Sequence, residues 1–386
     1  MKFKLPKNIE FVINTLLESG HSAYIVGGCV RDLLCGKVPS DYDITTSALP
    51  EVTRSLFKKT VDTGIKHGTI TVIIDDEPIE VTTFRTEGSY LDSRRPDKVN
   101  FVVDVKEDLS RRDFTINAMC YNHREGLIDI FGGLDDIKNG VLRAVGDAKV
   151  RFSEDALRIL RLFRFAATLG FTIEDKTFKA ALSCAPLLEK ISSERILSEL
   201  KKACRGESPK ALSPLLECDG LKKYCLEDCD LTIIENLNKN EDLRLFALLN
   251  LSSCNLKESL TALKCSNKFT SYCEKMKILC EQPLKDDKVY LKKNLAFAGE
   301  EILFDATYYC ENFFDIDMSS QRKTLKTIIS KEEPYLISHL DISGEDILNL
   351  GFKGNEIGEK LQILLNNVIE HPEQNTREKL IKLISN

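Results

Sequence analysis

The run Ala23-Tyr24-Ile25-Val26-Gly27-Gly28-Cys29-Val30-Arg31-Asp32, followed by Ser40-Asp41-Tyr42-Asp43-Ile44, decides how the chain is read. Its apolar start predicts a strand entering a Gly27-Gly28 turn, where glycine lets a phosphate come close to backbone N–H groups. In a strand, residues i and i+2 point to one face, so Asp41 and Asp43 can clamp a hard cation between two carboxylates. Mg²⁺ is the expected ion. Taken alone, Asp-x-Asp also suits a solvated turn, so its neighbours in sequence carry the decision.

The 386 residues, 42% hydrophobic, predict a globular protein of two to four domains. No stretch approaches the roughly 20 apolar residues that span a bilayer, and Met1-Lys2-Phe3-Lys4-Leu5-Pro6-Lys7 lacks the apolar centre of a signal peptide. No membrane association and a cytoplasmic location are expected. The 13 cysteines are odd in number and unevenly scattered, which suits reduced thiols. Cys218, Cys225 and Cys229 lack both a CxxC pair and a nearby histidine, so plain thiols are expected there rather than zinc. The net charge of −6 argues against indiscriminate nucleic-acid binding, yet arginines concentrate between Arg85 and Arg164.

Along the first 145 or so residues, strand and helix signals alternate. Thr69 to Ile74, Pro78 to Phe84 and Val99 to Val105 predict strands, with a turn at Asp75-Asp76-Glu77; helices are expected before residue 20 and over Glu51 to Lys59. The short connection between the first two of those strands excludes a parallel crossover, so the sheet is expected to be mixed or antiparallel. From about Ser153 the pattern is helical almost throughout, with breaks near Gly206-Glu207-Ser208-Pro209 and Lys331-Glu332-Glu333-Pro334.

Two further segments carry chemistry. Arg111-Arg112-Asp113-Phe114-Thr115-Ile116-Asn117 reads as a short helix start that brings together guanidinium forks suited to phosphate and side chains suited to ribose hydroxyls; a plain helix cap at Asp113 is the alternative. Ser153 reads as the N-cap of a helix running to Phe165. On it Asp155, Arg158, Arg161 and Arg164 recur every third residue as a ridge opposite Ala156, Ile159, Leu160 and Phe163. A solvated face usually mixes lysine with glutamate, so this ridge suits recognition. A carboxylate and a guanidinium together offer the acceptor and donors that pair with a base edge.

With these segments the sequence resembles the class II tRNA nucleotidyltransferases, the CCA-adding and poly(A) polymerase family of the DNA polymerase β superfamily, over nearly the whole chain. Gly27 to Asp32 with Asp41-Tyr42-Asp43 is similar to the catalytic motif, and Arg111 through Asn117 to the ribose-binding motif. Asp129-Ile130-Phe131-Gly132-Gly133 resembles the hinge motif, Glu154-Asp155-Ala156-Leu157-Arg158 the amino-acid template, and Ile191-Ser192-Ser193-Glu194-Arg195-Ile196 the motif that supports the template helix.

The resemblance implies an α+β protein: a polymerase-β-like head with a small mixed or antiparallel sheet, then an elongated all-α remainder. It implies a catalytic head over 1–148, a neck with the base template over 149–206, a body over 207–332 and a tRNA-binding tail over 333–386. By the same resemblance Asp41 and Asp43 are catalytic and hold Mg²⁺, Gly28, Arg31, Arg112 and Asp113 contact the phosphates and sugar of the incoming nucleotide, and Asp155, Arg158, Arg161 and Arg164 complete the nucleotide site. Glu80 falls where the superfamily often has a third carboxylate; an ion pair with an arginine is the alternative. The implied activity adds C, C and A to the 3′ end of tRNA from CTP and ATP, with the acceptor stem and elbow of tRNA as the bound partner.

Rival expectations are an enzyme adding only A, a bacterial poly(A) polymerase, a noncatalytic RNA-binding module, and nucleotide transfer to a small molecule or protein. The polar segment from Arg85 to Pro96 corresponds to the loop that in the family helps switch from C to A addition, which argues against an enzyme adding only the two cytidines; on composition alone it is a disordered loop. None of the five histidines is followed by aspartate, so no HD phosphohydrolase activity is expected.

Overall fold

The structure is a computed structural model and describes residues 2–87, 99–218, 220–252 and 255–385. It divides into two compact units, one of residues 1–230 with 252–264 and one of residues 231–251 with 265–386.

The first unit is built on a seven-stranded sheet. Its strands are β1 (Ala23–Val26), β2 (Ile44–Thr46), β3 (Thr60–Gly64), β4 (Thr69–Ile74), β5 (Glu77–Thr83) and, after the short pair β6 (Arg85–Glu87) and β7 (Val99–Phe101), β8 (Met119–Asn122) and β9 (Gly126–Asp129). Their order is β3-β4-β5-β2-β1-β8-β9. Only β2 and β5 run parallel, with Ile44 opposite Val81; all other neighbours are antiparallel. The expected mixed sheet is thus the observed one. β1 lies near its centre, and its alternation feeds two apolar layers. Ala23 and Ile25 join a core with Val12, Ile13, Leu16 and Val30, while Tyr24 and Val26 join Phe84, Leu109 and Cys120.

Helices α1 (Lys7–Glu18), α2 (Gly28–Leu34), α3 (Pro50–Leu56), α4 (Val105–Ser110) and α5 (Gly133–Asn139) surround this sheet. The hairpin between β4 and β5 turns through Asp75 and Asp76, both at positive φ, as their short polar side chains allow. Strand β7 stops at Phe101 rather than reaching Val105. Asp104 ends the extended run by accepting a hydrogen bond from Lys106 N at 2.9 Å, which caps α4. Residues 88–98, which hold most of the polar segment singled out in the sequence, lie outside the described residues; β6 and β7 pair antiparallel on either side of them.

Helices α6 (Ala148–Glu154), α7 (Leu157–Leu169), α8 (Asp175–Cys184) and α9 (Ser193–Cys204) follow. Here the structure corrects the expected single helix from Ser153. Ser153 sits in the last turn of α6, where its hydroxyl bonds the Lys149 carbonyl. The chain then breaks at Asp155, which is extended because its carboxylate satisfies the Leu157 N–H at 3.0 Å. The apolar face of α7, with Ile159, Leu160 and Phe163 fully buried, packs against α9.

The second unit is helical. Tyr309 and Tyr272 pack edge-on against Phe246 in one core, and Leu364, Leu365, Val368 and Leu380 are buried in another near the C-terminus. Among the described residues no helix is long and apolar enough to cross a membrane.

Candidate active site

The end of β1 sets the geometry. Val26 N–H donates to the Asp43 carbonyl at 3.0 Å, and Gly27 N–H donates to the Met119 carbonyl at 3.2 Å. The glycine turn is therefore fastened between two strand ends, directly beside Asp43. Gly27 adopts φ 82° and ψ −128°, a region closed to side chains, and a Cβ there would lie 2.9 Å from Arg112 Nη1. Gly28 then opens α2.

Asp41 and Asp43 lie on the extended segment just before β2 rather than within it. Both line a cavity of about 860 Å³ together with Glu80 of β5, Thr63 and Thr71. The parallel β2–β5 pairing, which sets Ile44 opposite Val81, brings Glu80 to this place. Solvent reaches Asp43, yet its position in the cleft raises its proton affinity by desolvation; Asp41 and Glu80 add to this as like charges, and Arg112 opposes it. Among the described residues Glu80 has no ion-pair partner, and no three ligating side chains form a closed metal cage. The site is a negatively charged, oxygen-only pair with a third carboxylate at its edge, a donor set that fits Mg²⁺.

Arg111 to Asn117 is not a helix start. α4 ends at Ser110, and Thr115–Asn117 forms a single 3₁₀ turn leading into β8. The tight path is braced by the next motif: Asp129 accepts from Gly133 N and Leu134 N, both at 2.8 Å, and a Cβ on Gly133 would fall 2.2 Å from the Thr115 carbonyl oxygen. Arg112 reaches from this segment toward Gly27. Asp113 is buried, accepting from Phe114 N, Asn117 Nδ2 and the Arg161 guanidinium. Burial alone would raise its pKa, but Arg161 outweighs it and holds the carboxyl down at about 2.

The expected ridge on α7 resolves into separate pairings. Arg158, 8% exposed, bonds Glu154 and the carbonyls of Arg151 and Arg111. Arg161 bonds Asp113, and Arg164 bonds Glu199 of α9 at 2.9 Å. Asp155 stands apart from them at the helix break and accepts from Arg195 Nη2 at 2.8 Å. On the far side of the turn, Arg31 bonds Asp32 and Asn117. The ring of Phe165 joins the two halves: the guanidinium carbons of Arg164, Arg31 and Arg161 lie 3.6, 5.2 and 5.7 Å from its centroid.

Neither Phe165 nor Glu199 was singled out in the sequence. Glu199 did carry a signal, because it lies on the face of α9 that buries Ile196, Leu200 and Ala203, and a carboxylate among such residues demands a cationic partner. Phe165 carried none, since a phenylalanine on an amphipathic helix is read as core.

Replacing Gly27 by alanine is expected to displace Arg112 and to raise the KM for nucleotide by about tenfold with a smaller change in kcat, equivalent to about 1.4 kcal/mol of lost binding. Steady-state kinetics at saturating tRNA would check this, and an unchanged KM would show that Arg112 moves aside without consequence.

The mixed sheet, the glycine turn and the carboxylates beside it define a nucleotidyltransferase. Residues 23–143 match the family model of the poly A polymerase head domain, residues 170–231 that of the RNA and SrmB-binding site of polymerase A, and residues 237–384 that of tRNA nucleotidyltransferase domain 2. The CCA-adding enzyme of Enterococcus faecalis is 38% identical over 96% of this chain and 93% of its own length. That of Leuconostoc mesenteroides is 48% identical over 60% of this chain, and the match spans 58% of the relative's length. Among solved structures, the Bacillus stearothermophilus CCA-adding enzyme in complex with CTP is 30% identical and superposes with a TM-score of 0.83, covering 99% of this chain and 98% of that one. The chain belongs to the CCA-adding enzyme family.

Proposed function

We propose that the protein adds C, C and A to the 3′ end of tRNA, using CTP and ATP and releasing pyrophosphate, without a nucleic-acid template. The observation that supports this most is the fastening of the Gly27 turn beside Asp43, an arrangement suited to a phosphate cradle next to two exposed carboxylates. Asp41 and Asp43 would hold Mg²⁺, which when bound lowers the pKa of the attacking 3′-hydroxyl and neutralises charge on the leaving pyrophosphate. Gly28 N–H at the start of α2, Arg31 and Arg112 receive the triphosphate. Asp113 keeps Arg161 aimed. The hydroxyl loses its proton to solvent and its oxygen attacks the α-phosphorus in line, forming one P–O bond as the bond to the pyrophosphate oxygen breaks.

Base choice falls to Asp155 and Arg158. Arg195 fixes the Asp155 carboxylate, and the bonds to Glu154, Arg151 and Arg111 fix the Arg158 guanidinium, so both present a rigid pattern of acceptors and donors. We divide the chain functionally into the head (1–148), neck (149–206), body (207–332) and tail (333–386), with the tail gripping the tRNA elbow.

The test is incorporation into tRNA lacking all three terminal nucleotides, the last two, or only the last, with CTP and ATP supplied singly and together. Stepwise C, C and A supports the proposal. Incorporation of A alone, or of long A tracts, replaces it by an A-adding enzyme or a poly(A) polymerase. Asp155→Ala is expected to lose the preference for CTP and ATP over UTP and GTP while keeping its thermal midpoint within a few degrees; an unchanged preference would remove Asp155 from base selection.

A further inference from the structure

Asp108 of α4 is fully buried and has no part in the chemistry proposed above. Its Oδ1 accepts from Arg111 Nε at 3.0 Å, Arg111 Nη2 at 2.8 Å and the backbone N–H of Arg85 at 3.3 Å. Its Oδ2 accepts from Thr45 Oγ1 and Arg112 Nη2, each at 3.3 Å. Burial opposes its charge, but Arg111 and Arg112 prevail and keep the carboxyl below the usual range.

The donors come from separate parts of the site. Thr45 is on β2, two residues beyond Asp43, and Arg85 begins the β6–β7 pair. The Arg111 carbonyl accepts from Arg158 at 3.0 Å, which extends the network to the base-reading candidates. Arg112 depends on it most. Among the described residues Asp108 is the only hydrogen-bond partner of its guanidinium, and Arg112 Nε is buried without one. A guanidinium anchored at one nitrogen keeps its aim only as long as that anchor holds.

We propose that Asp108 is a positioning residue for nucleotidyl transfer: it holds Arg112 beside Asp43 and fastens the catalytic strand to the start of the β6–β7 pair. The inference rests on the proposed function, because it concerns how Arg112 meets the nucleotide. A purely structural Asp108 would contribute to folding without any special link to Arg112.

The test is Asp108→Asn, which keeps the shape: its amide oxygen can still accept from Arg85 N–H and Arg111, and its amide nitrogen can donate to Thr45 Oγ1, but that nitrogen cannot accept from Arg112. KM for CTP and for ATP should rise about tenfold, with kcat reduced by no more than about threefold. In an Arg112→Ala background the same substitution should leave KM unchanged, since its effect passes through Arg112. An equal KM rise in both backgrounds, or a wild-type KM with only a lowered thermal midpoint, overturns the proposal. If the asparagine variant does not fold, Thr45→Val replaces it: removal of the hydroxyl from Oδ2 should raise KM about two- to threefold in the wild-type background and not in Arg112→Ala, and a wild-type KM overturns the proposal. Wild-type protein that transfers no nucleotide would sink the proposed function and this inference together; active wild-type protein with additive effects sinks the inference alone.

Discussion

Asp43→Ala is expected to abolish transfer, with kcat falling by at least about 10³-fold, which corresponds to about 4 kcal/mol in the barrier, while tRNA binding by gel retardation stays at the wild-type level. The effect is large because the residue cannot be replaced from nearby. Asp41 is the only other carboxylate on the same segment, and Glu80 reaches the cavity from a different strand. Losing the Asp43 side chain also removes the carboxylate of the residue whose main chain holds Val26 at the start of the glycine turn, so the proposed metal site and phosphate cradle would lose their common edge. The fold should be spared: the structural bond here runs from Val26 N–H to the Asp43 main-chain carbonyl, which alanine keeps. Asp43→Asn separates charge from shape, and its activity should be as low as that of the alanine variant. Retained turnover in either would exclude Asp43 from the reaction.

Asp113→Asn is expected to destabilise the protein by about 2 to 3 kcal/mol and to raise KM for nucleotide. Breaking a buried ion pair by removing one partner costs about 3–5 kcal/mol; Arg161 is about one-third exposed, so the cost falls at or just below the lower end. The pH dependence gives a second measure. The carboxyl titrates at about 2 in the folded protein, below its ordinary 3.8, so ionised Asp113 contributes about 2 kcal/mol. That contribution is complete at pH values above the ordinary one and is lost as pH falls toward 2. Comparing wild type with Asp113→Asn, the difference in thermal midpoint should therefore be constant from neutral pH down to about 5 and narrow below 4. A difference that persists unchanged in acid would mean that the carboxylate's charge is not what stabilises the site.

How much of this was legible in the sequence varied with the kind of signal. Strands β1 and β4 are apolar runs bounded by glycine and aspartate turns, and both occur where expected. β3, Thr60–Gly64, is a polar edge strand with three of its five residues exposed; it lacks the alternation that marks a half-buried strand. The α6–α7 break was hidden because the helical spacing on the two sides runs in register through Asp155. Only its side chain, capping Leu157 rather than pointing outward, interrupts the chain. Arg158, Arg161 and Arg164 stand out in the sequence as a ridge; Glu154 lies at the i,i+4 spacing from Arg158, but Asp113 and Glu199, the partners of the other two, come from segments that periodicity cannot join. Asp108 was concealed among Lys106, Glu107 and Ser110, a composition that resembles any solvated helix.

The arginines around Phe165 have one more consequence. Arg31, Arg161 and Arg164 each hold a carboxylate of their own, Asp32, Asp113 and Glu199. Under the proposed function a triphosphate would meet not a bare Arg31 but one already paired with Asp32, an anion that the chain itself supplies and that remains tethered within reach, while the buried Asp113 stays in place and keeps Arg161 aimed. Asp32 would then act as a tethered competitor for that one guanidinium. The hold of Arg31 on a polyanion would be the difference between two attractions, which would favour moderate affinity and quick release. Under that proposal pyrophosphate must leave after each addition, so a grip that lets go would be as useful as one that holds.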